Sequence, residues 1–165
     1  MGEVLNLATR ARRRLYSEPN PYAYRPRSTW SVDGSTLFVG GTEEAFTIRR
    51  DGSGRRPLRH AGQGSPIWSP DGRRMLFTGT GGWGVSDVFI ADAAGNDVRR
   101  LTNTRPPEIG EEQRGSVPLA WSPDGSEILY LRRFTLALIR PDGSGRRDLC
   151  RPPRGTTGAV VWTAG

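Results

Sequence analysis

Trp68-Ser69-Pro70-Asp71-Gly72 followed by Arg73-Arg74-Met75-Leu76-Phe77 decides the fold, because the same order of residue types occurs three times. It returns as Trp121-Ser122-Pro123-Asp124-Gly125 before Ser126-Glu127-Ile128-Leu129-Tyr130, and as Trp30-Ser31-Val32-Asp33-Gly34 before Ser35-Thr36-Leu37-Phe38-Val39. Ser-Pro-Asp-Gly signals a tight turn: Ser opens it, Pro presets φ at the second position, and Gly closes it with positive φ. The apolar run on each side of such a turn reads as a strand. A second turn follows in every repeat: Asp51-Gly52-Ser53-Gly54, Asp92-Ala93-Ala94-Gly95 and Asp142-Gly143-Ser144-Gly145. After it come two arginines and a leucine: Arg55, Arg56 and Leu58; Arg99, Arg100 and Leu101; Arg146, Arg147 and Leu149.

Each repeat therefore holds four strands: one ending at Trp, one after the first turn, a third over 44–49, 86–91 or 134–139, and a fourth carrying the arginines. A four-stranded unit recurring at roughly 40 residues is a β-propeller blade. The expected blades are 28–58, 65–102 and 118–149. A partial fourth follows at 158–165, where Val160-Val161-Trp162-Thr163-Ala164-Gly165 begins the pattern again. The polar, Pro-containing stretch 102–117 reads as an enlarged loop. The fold class expected is all-β: three four-stranded blades plus a partial fourth.

W-S-P-D-G, an aliphatic strand, D-x-x-G and R-R-L together resemble the TolB-type, WD-like β-propeller repeat over residues 28–163. The first repeat departs by placing Val32 where the family has Pro, and the fourth lacks its Pro and Asp. The resemblance implies a radial β scaffold used mostly for protein binding, often at the bacterial envelope. It also implies kinship with the non-catalytic propellers of some serine peptidases.

Three blades leave two open sheet flanks, which invite pairing with other chains. The N-terminal segment, 1–27, offers one solution. Glu3-Val4-Leu5-Asn6-Leu7 through Arg13-Arg14-Leu15 aligns with the outer two strands of a blade, which Val160 to Thr163 would share. Val4, Ala8, Ala11 and Leu15 equally fit an amphipathic basic helix. Closure by a second copy of the chain, giving a homo-oligomer, and a piece of a longer propeller are the other solutions.

Composition bounds the function. Gly 22 and Pro 13 in 165 residues disfavour long helices. No apolar run is long enough for a membrane-spanning helix, and no secretory signal opens the chain. As written the chain reads as cytoplasmic, and as envelope or secreted if it is a piece. All 24 basic residues are arginine, and the net charge is +7.

The candidate chemistry is sparse. Gly79-Thr80-Gly81-Gly82-Trp83-Gly84 spells G-x-G-x-x-G, but a strand follows it rather than the helix that phosphate binding needs, so it reads as a hairpin loop. His60 stands alone with no nucleophile motif beside it. Cys150 has no cysteine partner for a disulfide or a cysteine-based metal site. Asp33, Asp71, Asp124, Asp51, Asp92 and Asp142 belong to separate turns, where hydrogen bonding explains them better than calcium. Trp30, Trp68, Trp121 and Trp162, with Gly34, Gly72 and Gly125, are repeat-defining structural residues, and the indoles read as packing between sheets. The expected reading has no catalytic, cofactor-binding or metal residue.

The arginine pairs read as a solvated outer rim, with attraction to nucleic acid or another polyanion as the rival. Partner contacts fall on loops of one face: Trp83, Arg105, Glu108, Glu111, Glu112 and Arg114. A non-catalytic scaffold for protein–protein interaction is the reading. The alternatives are the propeller portion of a larger serine hydrolase or peptidase, and a basic module binding a polyanion.

Overall fold

The computed structural model describes residues 2–5, 12–16, 27–40, 45–61, 64–81, 85–105, 115–152 and 162. These form an N-terminal hairpin and three four-stranded antiparallel sheets, with no helix among the described residues. The hairpin pairs β1 (Gly2–Leu5) with β2 (Arg12–Tyr16). Sheet 1 runs β3 (Arg27–Trp30), β4 (Thr36–Gly40), β5 (Phe46–Arg49), β6 (Arg56–Pro57). Sheet 2 runs β7 (Ile67–Trp68), β8 (Arg74–Thr80), β9 (Ser86–Asp92), β10 (Arg99–Arg100). Sheet 3 runs β11 (Ser116–Trp121), β12 (Ile128–Arg132), β13 (Thr135–Ile139), β14 (Arg147–Cys150). In each sheet the strand order is the chain order, as in a propeller blade.

The repeat alignment holds to the residue on the Trp side. Trp30 faces Leu37, Trp68 faces Met75 and Trp121 faces Ile128. The three first turns share one hydrogen-bonding scheme. Ser31, Ser69 and Ser122 Oγ each donate at 2.6 Å to Oδ1 of Asp33, Asp71 and Asp124. The same Oδ1 accepts the N–H of Ser35, Arg73 or Ser126. The serine oxygen accepts the N–H of Thr36, Arg74 or Glu127. Gly34, Gly72 and Gly125 close the turns at φ of 67°, 68° and 70°, a region open to glycine at little cost.

The second turns align differently from their D-x-x-G spelling. Gly52, Gly95 and Gly143 donate to the carbonyls of Arg49, Asp92 and Arg140. Asp92 therefore occupies the place of Arg49 and Arg140, not that of Asp51 and Asp142. The strand register carries the slip onward: Arg56 faces Thr47, Arg99 faces Ile90 and Arg147 faces Leu138. Arg100 consequently takes the place of Pro57 and Asp148, opposite Phe89 as they are opposite Phe46 and Ala137. A one-residue slip turns a strand side chain to the other face of its sheet.

The core lies between the sheets. Phe38 and Leu58 of sheet 1 pack with Met75, Phe77 and Phe89 of sheet 2. Leu76, Val88 and Ile90 of sheet 2 pack with Trp121, Ile128, Tyr130 and Ile139 of sheet 3. Leu37, Val39, Phe46 and Ile48 form the third cluster, on the flank of sheet 1, where Leu15 of the hairpin covers them. Trp121 is buried, and its Nε1 donates to the Ile67 carbonyl of the neighbouring sheet at 3.0 Å. Trp30 and Trp68 pack half-buried against the other two clusters. Burying side chains of this size is worth roughly 1.5–3 kcal/mol each. Strands at 2–5 and 12–16 replace the amphipathic-helix alternative for that segment; pairing there puts Leu15 onto the flank of sheet 1. Of the partial fourth blade only Trp162 is described, and it is half-buried.

Candidate functional site

Two faces emerge from this topology. Turns between first and second strands and between third and fourth strands share one face, where Asp33, Asp71 and Asp92 line one depression with Val32 and Arg73. Blade-to-blade connections and the turns between second and third strands share the other. There Thr102–Arg105, leaving sheet 2, meets Ser116 at the entry to sheet 3, Arg132 and Arg133 at the β12–β13 turn, and Arg146. Together they line a cleft of about 400 Å³.

A buried carboxylate builds one side of this cleft. Asp87 on β9 is wholly buried and takes five hydrogen bonds. Thr102 Oγ1 donates at 2.7 Å, Thr104 N at 2.9 Å, Thr104 Oγ1 at 2.7 Å, and Arg100 binds through Nε and Nη2. Ser116 Oγ lies 3.0 Å from Thr104 Oγ1. The Thr104 proton is committed to Asp87, so Ser116 is the donor of that pair. The connection between blades 2 and 3 is thereby pinned to β9.

On the opposite wall, Arg132 and Arg146 reach one acid. Arg132 Nη2 binds Asp148 at 2.9 Å, and Arg146 reaches the same carboxylate only at 3.9 Å. No described carboxylate lines the cleft itself. Arg132 Nε and Tyr130 Oη are buried with no hydrogen-bond partner among the described residues. Burial pushes the Tyr130 phenol above its ordinary range, and the charges of Arg146 and Arg132 act on it in the opposite sense. Phe134, on the turn beside Arg133, is 48% exposed.

Arg105 is the one expected partner residue the structure describes in place, exposed on the cleft. Trp83, Glu108, Glu111, Glu112 and Arg114 lie outside the described residues. Phe134 was expected at the start of a strand, but β13 begins at Thr135 and Phe134 sits on the turn. Arg133 takes positive φ there (56°), which ends the strand early.

All six paired arginines are exposed, as expected, and several of them also make contacts within the fold. Arg55 stacks over Phe46 at 4.1 Å, Arg56 binds Asn96, Arg147 binds Glu127, and Arg100 holds Asp87. The register slip at the second turn explains Arg100. His60 is a loop residue at φ 70°, stacked on Phe89 with centroids 5.7 Å apart. Cys150 is exposed on β14. Gly81 lies in the connection between β8 and β9, which pair as a hairpin.

Sequence reasoning passed over Asp87, Tyr130 and Arg132. A signal for Asp87 was present: an acid inside the apolar run Val85-Ser86-Asp87-Val88-Phe89-Ile90-Ala91. A charge in such a run is kept only when it is paired.

No family model matches the chain. Over 79 residues, 45% of this chain, it is 34% identical to the Tol-Pal system protein TolB of Anaeromyxobacter dehalogenans, of which the match covers 18%. The solved structure of TolB from Acinetobacter baumannii superposes with a TM-score of 0.56, at 17% identity, over 90% of this chain and 37% of that one. The chain carries TolB-like β-propeller repeats. The TolB-like chain is also 27% identical to dihydro-heme d1 dehydrogenase of Pseudomonas aeruginosa over 152 residues, covering 83% of this chain and 31% of the enzyme. It thus spans under a third of the length of these curated relatives. Among the described residues, no helix is long and apolar enough to cross a membrane.

Proposed function

We propose that this TolB-like chain is a non-catalytic propeller scaffold that binds another protein through the face carrying the blade-to-blade connections and the β12–β13 turn. The observation that supports it is Phe134, an exposed aromatic on the same turn as Arg133 and beside the arginine-lined cleft. Aromatic and arginine side chains together are the usual anchors of protein interfaces. The opposite face has no such anchor among the described residues; its exposed apolar residue is Val32.

Site-specific photocrosslinking tests this. A benzophenone side chain at position 134 should yield a discrete protein adduct in extracts of the producing cells, and one at position 32 should not. Equal labelling from both positions, or none from 134, would remove the reading.

A second reading, the propeller portion of a larger enzyme, draws on the likeness to the dehydrogenase. A catalytic domain continuous with this reading frame would favour it over the first.

A further inference from the structure

We infer that Asp87 is the positioning residue of the binding face: without touching a partner, it locks together the roots of three loops, one of which presents Phe134. The inference rests on the protein-binding reading and names what holds that surface in shape. The first root is the β8–β9 connection. Gly81 lies so close that a methyl group on it would strike Asp87 Oδ2 and the Arg100 guanidinium, and its N–H donates to the Val85 carbonyl at 2.8 Å. The second is the connection leaving sheet 2, where Thr102 Oγ1, Thr104 Oγ1 and the Thr104 N–H all donate to Asp87 Oδ1. Thr104 Oγ1 also meets Ser116 Oγ at 3.0 Å, which ties the start of this connection to its end. The third is the β12–β13 turn. Gly115, with no room for a methyl group against the Ser86 carbonyl, accepts the Arg133 N–H at 3.1 Å, and Phe134 is the next residue.

A blade does not need this carboxylate. Sheet 3 has Thr135 at the same register position, and β13 still pairs with β12 along its whole length. A buried ion pair adds little net stability over an apolar pair of the same size, and its use is to fix one arrangement of its partners. Oδ1 of Asp87 takes three donors and Oδ2 takes Nε and Nη2 of Arg100, whose Nε also donates to the Thr102 carbonyl at 2.8 Å. Moving one root therefore leaves a donor without its acceptor at a carboxylate sealed from water. The roots hold one another, and Phe134 rides on the third.

Amide hydrogen exchange and crosslinking from position 134 test this on the full chain. D87N keeps the shape and the acceptor for the threonines but turns an amide donor towards Arg100. Exchange of the Gly81 and Arg133 N–H groups should rise about tenfold or more together, as for a local opening. The Gly72 and Gly125 N–H groups, bonded to Ser69 and Ser122 on the turn face, should change less than about twofold. In D87N shown to be folded by circular dichroism, the adduct should fall about threefold or more. S122A, which weakens a turn on the far face, should leave the adduct within about twofold. D87N with R100Q, where a glutamine carbonyl meets the new amide, should bring it back to within about twofold of wild type.

Equal acceleration at all four amides would reduce Asp87 to general stability and overturn the inference. So would unchanged exchange at Gly81 or Arg133, an undiminished adduct in folded D87N, or no recovery with R100Q. Should D87N not fold, T104V, which deletes one hydroxyl and keeps the ion pair, takes its place: Arg133 exchange about threefold faster or more supports the inference, and unchanged exchange overturns it. If the wild type gives no adduct, the scaffold reading falls by itself, and the exchange result alone decides whether Asp87 locks the roots.

Discussion

The two faces of this molecule are built by different means. On the turn face, every first turn is closed by residues two to five positions apart, Ser to Asp and Ser to the second residue after the glycine, and the scheme is identical three times. On the loop face, the bonds that shape the cleft join residues 13 to 17 positions apart, and in the described residues they centre on one carboxylate, Asp87, where repeat 3 has Thr135. Repetition serves stability on one face, and departure from the repeat creates the individual feature on the other.

That contrast can be broken at its strongest point. Asp87→Ala would leave the Arg100 guanidinium, two threonine hydroxyls and a backbone N–H without their acceptor, and should cost about 3–5 kcal/mol. A fall in the urea midpoint at constant m-value would measure it; a loss under about 1 kcal/mol would mean that the carboxylate is not what pins the connection.

Acid should act on the turn face instead. Hydroxyl and backbone N–H donors hold Asp33 and Asp124 down to about 2, and Asp51, Asp71 and Asp142 are lowered by the same kind of bond. The folded values lie below the unfolded ones, so their contribution is fully present above about pH 4 and drains away as the pH falls towards about 2. Thermal midpoints measured across that window should fall in the wild type and fall less in D33N with D124N. R132Q on the loop face should leave the slope unchanged.

A single turn serine is worth less. Ser122→Ala removes a donor to Asp124 and the acceptor for the Glu127 N–H, and should cost about 1–2 kcal/mol by chemical denaturation. The smallest effect is a gain. Val32 is 66% exposed at the position that Pro70 and Pro123 occupy in the other repeats. V32P should stabilise by about 0.5 kcal/mol, chiefly by restricting the unfolded chain. A loss would show that turn 1 differs from its siblings in backbone, not only in sequence.

How far the sequence could be read follows the same division. The Trp-to-turn segments are legible because turn, strand and indole are specified by neighbours within about ten residues, and three copies confirm one another. The second turn is where reading by spelling went astray. Asp92-Ala93-Ala94-Gly95 copies the letters of Asp142-Gly143-Ser144-Gly145, but hydrogen bonding sets the glycine of each turn three residues after Arg49, Asp92 or Arg140. With that slip, the contact that exposed Arg100 makes with Asp87 was not legible from the aligned pairs.

Residue order alone settled the all-β architecture, the four-strand unit and the carboxylate-capped turns, since each depends on bonds between near neighbours along the chain. Only the folded arrangement decided that Asp87 would gather Arg100, Thr102 and Thr104, and that Arg132 and Arg146 would share one acid beside the buried hydroxyl of Tyr130. The physical reason is that a side chain's charge balance depends on everything within a few ångströms, and in stacked sheets those neighbours come from distant parts of the chain.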